Sequence, residues 1–159
     1  MKDKDDYTFR ISLKGLVKLA FLISFLLVSC SHGIDLAAAA DNFPRLFSGT
    51  FNWHGEGPVQ RLSLEILDIS IDPDKKIVAS GKGVYHVGDE TFIDIKIVVD
   101  PVTMRFEMWE LNADGSSNFV TAGSHVGKIS DDLSRVKAVW TSKKGGKQGT
   151  LILEAQEVY

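Results

Sequence analysis

The side chains of this chain best suited to chemistry are four histidines (His32, His54, His86 and His125) and a single cysteine, Cys30. Imidazoles with a thiolate would suit zinc, whose ligands recur at spacings such as His-x3-His or Cys-x2-Cys. No pair of histidines here has such a spacing, and no second thiol exists. Two histidines on facing strands could still meet, but the spacing predicts no metal site and no cofactor. Serines and aspartates are plentiful enough for a Ser-His-Asp relay, yet the Gly-x-Ser-x-Gly elbow that presents a nucleophilic serine is missing. No catalytic residue is assigned, and the protein is read as not an enzyme. A lone cysteine also rules out an internal disulfide, so the core alone must hold the fold. Lys143, Lys144 and Lys147 form the one basic cluster, in a glycine-rich stretch that reads as a solvated turn.

Cys30 gains meaning from the residues before it. An apolar run, Leu19 to Val28, leads to Ser29-Cys30, and Lys2, Lys4, Arg10, Lys14 and Lys18 come before the run. A spanning helix needs about 20 apolar residues. The uninterrupted run here is nearer ~10, the length of a signal-peptide apolar region. Cations ahead of it favour a cytoplasmic N-terminus and translocation of the chain beyond the run.

The segment Leu27-Val28-Ser29-Cys30 resembles the lipobox of bacterial lipoproteins. That resemblance implies that residues 1–29 are a signal peptide and that Cys30 is acylated, with palmitate-type chains tethering the protein to a membrane. Several acyl chains hold durably where one is marginal. Ser31 rather than aspartate follows the cysteine, and among Gram-negative lipoproteins this implies the outer membrane of the cell envelope, on its periplasmic side. One competing reading is a buried apolar helix, disfavoured by the lack of amphipathic period. The other is cleavage after Ala37-Ala38-Ala39-Ala40, leaving a start near Asp41, but a cleavage site normally follows the apolar run closely.

The whole chain carries 18 Lys+Arg and 21 Asp+Glu, a net charge of −3. Removing residues 1–29 takes away five basic and three acidic residues, leaving 13 and 18 and a net charge of −5. An acidic domain has no electrostatic footprint for nucleic acid and no polybasic patch for anionic lipid. The membrane is thus reached through the Cys30 anchor. Residues 30–44 read as the lipidated cysteine and a flexible tether, with room for a short helical turn at the alanines, and residues 45–159 as one domain.

Turn signals punctuate that domain every ten to fifteen residues: His54–Pro58, Asp72–Lys75, Gly88–Glu90, Asp100–Val102, Asn112–Ser117, Ser130–Leu133 and Lys143–Lys147. Seven turns imply eight strands, and the segments between them alternate as half-buried strands do. Ile93, Ile95, Ile97 and Val99 share one face against Asp94 and Lys96, and Met104, Phe106 and Met108 oppose Arg105 and Glu107. In the second strand Leu62, Leu64 and Ile66 are followed by Leu67, Ile69 and Ile71, a phase slip that predicts a β-bulge near Ile66-Leu67 with all six on one face. Sequential strands with short turns pair with their neighbours, and closure removes the exposed edges. The expected fold is an all-β, eight-stranded antiparallel up-and-down barrel; a two-sheet sandwich is the alternative.

Phe47-Ser48-Gly49-Thr50-Phe51-Asn52-Trp53 and Ser80-Gly81-Lys82-Gly83-Val84-Tyr85 resemble the opening strands of small calycin barrels, the avidins and lipocalins. The polar residues that hold biotin in avidins have no counterparts, so the resemblance implies architecture alone. Gly81 and Gly83 read as the bend where a barrel curves. An eight-stranded interior is either filled by side chains or holds one small ligand. For the second case Tyr85, Met104, Phe106, Met108 and Trp140 are the candidate lining: methionines adapt to varied shapes and Tyr85 or Trp140 supplies a polar contact. Trp53 and Trp109 fall off the apolar phase and read as caps of the barrel end or anchors for a partner. The function expected is a binding module for a small apolar or amphipathic ligand. The alternative is an interaction lipoprotein that binds an envelope protein or, by a resemblance of Ser80–Tyr85 to lysozyme-inhibitor barrels, a lysozyme.

Overall fold

The alternation in residues 46–155 becomes eight strands: β1 (Leu46–Trp53), β2 (Gln60–Ile71), β3 (Ile77–His86), β4 (Thr91–Asp100), β5 (Arg105–Asp114), β6 (Gly123–Ile129), β7 (Arg135–Ser142) and β8 (Gln148–Ala155). They are seen in a computed structural model that describes residues 35–55, 57–86, 88, 90–114 and 121–157. The chain divides into two units, Met1–Gly33 and Ile34–Tyr159, and every described residue lies in the second. Cys30, the signal segment and the start of the tether fall outside the described residues.

Each strand pairs antiparallel with the next, and β1 pairs with β8, closing the barrel. The closing ladder runs from Phe47 opposite Ala155 to Trp53 opposite Gly149. That ladder decides between the two expected architectures, since an open two-sheet sandwich would leave β1 and β8 unpaired with each other. Aspartates build several of the turns by accepting backbone N–H bonds two to four residues on. Asp72 Oδ1 accepts from Lys76 at 2.8 Å, Asp100 Oδ1 from Val102 at 2.9 Å, and Asp132 Oδ1 from Ser134 at 3.1 Å.

The inner face is formed as the alternation predicts, with Ile77, Ala79, Ile93, Ile95, Ile97, Val99, Val136, Ala138, Leu151 and Leu153 all buried. In β2 the register against β3 shifts between Ile66 and Asp68, so the expected bulge is present. Its extra residue is Leu67, which is 50% exposed and points out. The expectation that Leu67 shares the inner face is therefore corrected: a bulge sets two residues against one, and the surplus residue leaves the alternation. Ile69 and Ile71 resume opposite Ala79 and Ile77. Gly81 faces this bulge, and a Cβ there would overlap the Glu65 carbonyl oxygen. Only a residue without a side chain lets the two strands approach so closely. A second bulge, not foreseen, lies in β5, where the register against β4 shifts between Asp94 and Ile95 and leaves Leu111 unpaired and 54% exposed.

The barrel's two ends differ. At one end the N-terminal segment folds over the interior. Helix α1 (Leu36–Asp41) is capped by the Asp35 carboxylate, which accepts from the Ala38 N–H at 3.1 Å. Phe43, 2% exposed, then enters the core beside Phe47, with ring centroids 6.0 Å apart. Residues 35–44, read from sequence as tether, are thus anchored on the barrel through the buried Phe43. Leu36, Ala39 and Ala40 pack against the same core. Met104 is also at this end. It sits in the β4–β5 turn with φ of 53°, half-buried, and is not an inward residue of β5, which begins at Arg105.

Candidate functional site

Around the other end of the barrel, the inner face stops being purely apolar. Alternation along β5 carries Phe106, Met108 and then Glu110 inward, and along β6 it carries Gly123 and His125 inward. Glu110 is 6% exposed and His125 1%. In the ladder Met108 stands opposite His125, and His125 stands opposite Trp140 on β7. Tyr85 comes from β3, where it pairs with the buried Thr91 of β4.

These side chains converge on one oxygen. The Tyr85 hydroxyl donates to Glu110 Oε1 at 2.6 Å, and His125 Nε2 lies 3.1 Å from the same atom. Burial, then the Glu110 charge and the hydrogen bond to it, push the Tyr85 pKa well above the usual value of 10.0. The phenol therefore keeps its proton and acts as a donor. An oxygen already accepting from Tyr85 faces His125 favourably only if Nε2 also carries a proton, so Nε2 is the donor of the second bond. The other imidazole nitrogen, Nδ1, is buried and has no hydrogen-bond partner among the described residues. An unmet buried polar atom costs about 1–3 kcal/mol.

Aromatic rings enclose this polar group. Phe51 stands edge-on to His125 at 5.7 Å and 80°, and to Tyr85 at 6.3 Å and 79°. Trp53 makes the same T-shaped contact with Phe51 at 4.9 Å and with Trp140 at 5.1 Å. Glycines make room for the rings. A Cβ on Gly123 would overlap the Trp140 indole, and one on Gly149 would overlap the Phe51 ring. Trp53, half-buried at the last position of β1, caps this end as one of its two expected roles had it. Trp109 is instead on the outer face, opposite Lys96.

Of the expected lining residues, Tyr85, Met108 and Trp140 come together here, whereas Phe106 lies one layer deeper, paired with Gly127. Met104 is at the opposite end. The Tyr85 hydroxyl is spent on Glu110 rather than held open. Glu110 and Phe51 were given no site role from sequence, and His125 was singled out only as one of four histidines weighed for a metal. The signal was nonetheless present: Glu110 continues the Phe106-Met108 phase by one step, and a carboxylate at an inward position is conspicuous.

The remaining histidines do not join this cluster. His54 Nε2 contacts Thr150 Oγ1 at 2.7 Å, and His86 lies between Ser63 Oγ at 3.1 Å and Glu90 Oε1 at 3.2 Å. Both are exposed, and His32 falls outside the described residues. Among the described residues no three His, Cys, Asp or Glu side chains are placed to hold a metal. A groove of about 230 Å³ runs over the outer surface between Lys82, Phe92, Asp94, Asn112 and Asp114. There Asn112 Nδ2 donates to Asp94 Oδ2 at 2.9 Å.

No family model matches the chain, and no curated protein matches it. Among solved structures it is similar to a de novo designed fluorescence-activating β-barrel, at 21% identity, with 74% of this chain and 97% of that chain covered and a TM-score of 0.46.

Proposed function

We propose that the protein is a non-enzymatic binding module, held at a cell envelope through an acylated Cys30, whose barrel takes a small apolar or amphipathic ligand at the Trp53–Trp140 end. One observation carries the reading. The buried polar side chains other than tyrosine among the described residues are Thr91, Glu110 and His125, and all sit at this end under a roof of aromatic rings. Buried polar side chains are seldom better for stability than apolar residues of the same volume. A site for a ligand, by contrast, needs an apolar lining with a few convergent polar groups. The experiment is a titration of the full chain with N-phenyl-1-naphthylamine, a dye that brightens in apolar sites. Saturable binding of one dye per chain, quenching the tryptophans, is expected; a linear, unsaturable response would overturn the reading. Mass spectrometry of the membrane fraction tests the anchor, with acylated Cys30 expected and a mature start near Asp41 counting against it.

A second reading, a protein-binding lipoprotein, is favoured by the outer surface, where Phe92 and Leu111 are each 54% exposed near the Asp94–Asn112 groove. Inhibition of lysozyme by the purified chain, lost in Phe92→Ser, would support its narrower form.

A further inference from the structure

Among the described residues, the wall of the barrel is held by the least backbone between β5 and β6. Their ladder runs only from Arg105 opposite Lys128 to Met108 opposite His125, and each of the other seven is longer. Toward the Trp53–Trp140 end, Trp109 would next face Ser124 and Glu110 would face Gly123, but neither pair forms. Each strand is committed to its other neighbour instead. The bulge at Leu111 bends β5, and Asn112, Ala113 and Asp114 stay paired with Asp94, Ile93 and Phe92 of β4. Gly123 and Ser124 stay paired with Ser142 and Thr141 of β7, and the Ala122 carbonyl accepts from the Lys143 N–H at 2.9 Å. Side chains bridge the gap that the ladder leaves. Glu110 on β5 meets His125 on β6 at 3.1 Å, and Tyr85 reaches the same carboxylate from β3 at 2.6 Å.

We infer that the β5–β6 seam is the part of the wall that opens, and that the Glu110–His125 bridge is a clasp released by acid. The inference goes beyond the binding reading and stands without it. Glu110 Oε1 holds two donors, which an ionised carboxylate does well. Once that carboxyl takes up a proton its charge is gone, and the same acid favours the imidazolium form of His125. A buried cation that has lost its counter-charge is strongly destabilising, and parting the strands lets water reach it. Nothing nearby can replace the lost charge. The other inward residues around the bridge, Phe51, Leu62, Thr91, Met108, Trp140 and Leu151, are all uncharged. Tyr85, Glu110 and His125 are thus the titratable groups that face one another there among the described residues. The clasp therefore contributes while Glu110 is ionised and ceases to as pH falls. The parting stays local because the ladders on either side are longer, from Phe92–Asp114 to Asp100–Arg105 on one and from Gly123–Ser142 to Ile129–Val136 on the other.

Amide hydrogen exchange of the full chain, followed residue by residue and referred at each pH to the exchange of an unfolded chain, tests this. From about pH 7 to about pH 4, the amides of the β5–β6 ladder are expected to lose protection by about tenfold or more, while those of the β3–β4 ladder around Ala79 and Ile97 keep theirs. Loss of protection in both ladders together would mean that the whole barrel unfolds in acid and would overturn the inference. So would a β5–β6 ladder as well protected at the lower pH as at the higher. The ¹³C shift of the Glu110 carboxyl is expected to move over the same pH interval as the seam; a carboxyl that titrates in a different interval would show that it is not the trigger. The double substitution Glu110→Leu with His125→Phe removes both halves of the clasp without stranding a charge. Its β5–β6 protection is expected to be independent of pH over that interval, and an acid response that survives the substitution counts against the clasp. If that variant does not fold, the exchange map and the carboxyl titration of the unaltered chain decide the matter.

Discussion

At the scale of single residues, the energetics of the site turn on the Glu110 carboxylate, which takes the Tyr85 hydroxyl at 2.6 Å and His125 Nε2 at 3.1 Å on one oxygen. Tyr85→Phe deletes a donor and leaves the rest of the ring in place. It is expected to lower unfolding free energy by about 1.5–3 kcal/mol, the usual worth of a hydrogen bond to a charged group, measured by urea denaturation. The same residue sets an alkaline limb. Because folding raises the Tyr85 pKa, its contribution is fully present below the unfolded value of about 10 and is lost as pH rises beyond it. Stability of the unaltered chain should fall above that pH more steeply than that of Tyr85→Phe. Asp132 governs an acid limb with the opposite sign. Bonds from Ser130 and Ser134 pull its pKa from 3.8 down to about 2, so its contribution is present above 3.8 and is lost as pH falls through about 2. Asp132→Asn should flatten the stability profile in that window. The turn at Asp132 was legible in the sequence, whereas the buried cluster was legible only in part. Reading β5 as Met104, Phe106, Met108 stops one alternation short of Glu110, and a histidine in Ser124-His125-Val126 carries no mark of burial until the register with Met108 and Trp140 is known.

Among the elements, the two bulges show what a sequence pattern can and cannot carry. In β2 the surplus residue is apolar and lies between apolar neighbours, so the phase slip from Leu62-Leu64-Ile66 to Ile69-Ile71 is visible; which residue is expelled is not. In β5 the surplus Leu111 is followed by Asn112-Ala113-Asp114-Gly115, which reads as the start of a turn although the strand continues to Asp114. A turn signal and a bulge share the same residue types, hence the ambiguity. Deleting residues distinguishes them. Loss of Leu111 leaves Glu110 inward, Asn112 outward and Ala113 inward, a regular alternation, so the variant is expected to fold. Loss of Trp109 shifts the strand by one and sends Glu110 to the outer face. That chain is expected to lose the Tyr85 contact and to fold poorly, as near-ultraviolet circular dichroism would register.

Across the whole molecule, the ends divide the labour. One is plugged by α1 and Phe43; the other holds Glu110 and His125 beneath Phe51, Trp53 and Trp140. Phe43→Ala is expected to cost about 3–5 kcal/mol, as for other buried aromatics, in urea melts, while leaving dye binding at the far end unchanged in the chains that remain folded. The strand count and the closure were legible because seven turn signals and strict alternation admit few arrangements. The plug was not, since an alanine run before Phe43-Pro44 looks like linker until a core exists for it to cover.

Closure itself has a consequence in time. Seven ladders join strands that follow one another in sequence, whereas the eighth joins β1 to β8 and pairs Phe47 with Ala155. Contacts between such distant positions bring little gain until the intervening chain has lost its freedom, and they form slowly for that reason. β1 is thus the first strand to leave the ribosome and the last to acquire its second neighbour. Trp53, at the tip of that strand opposite Gly149, would be the reporter whose fluorescence changes when the ring shuts.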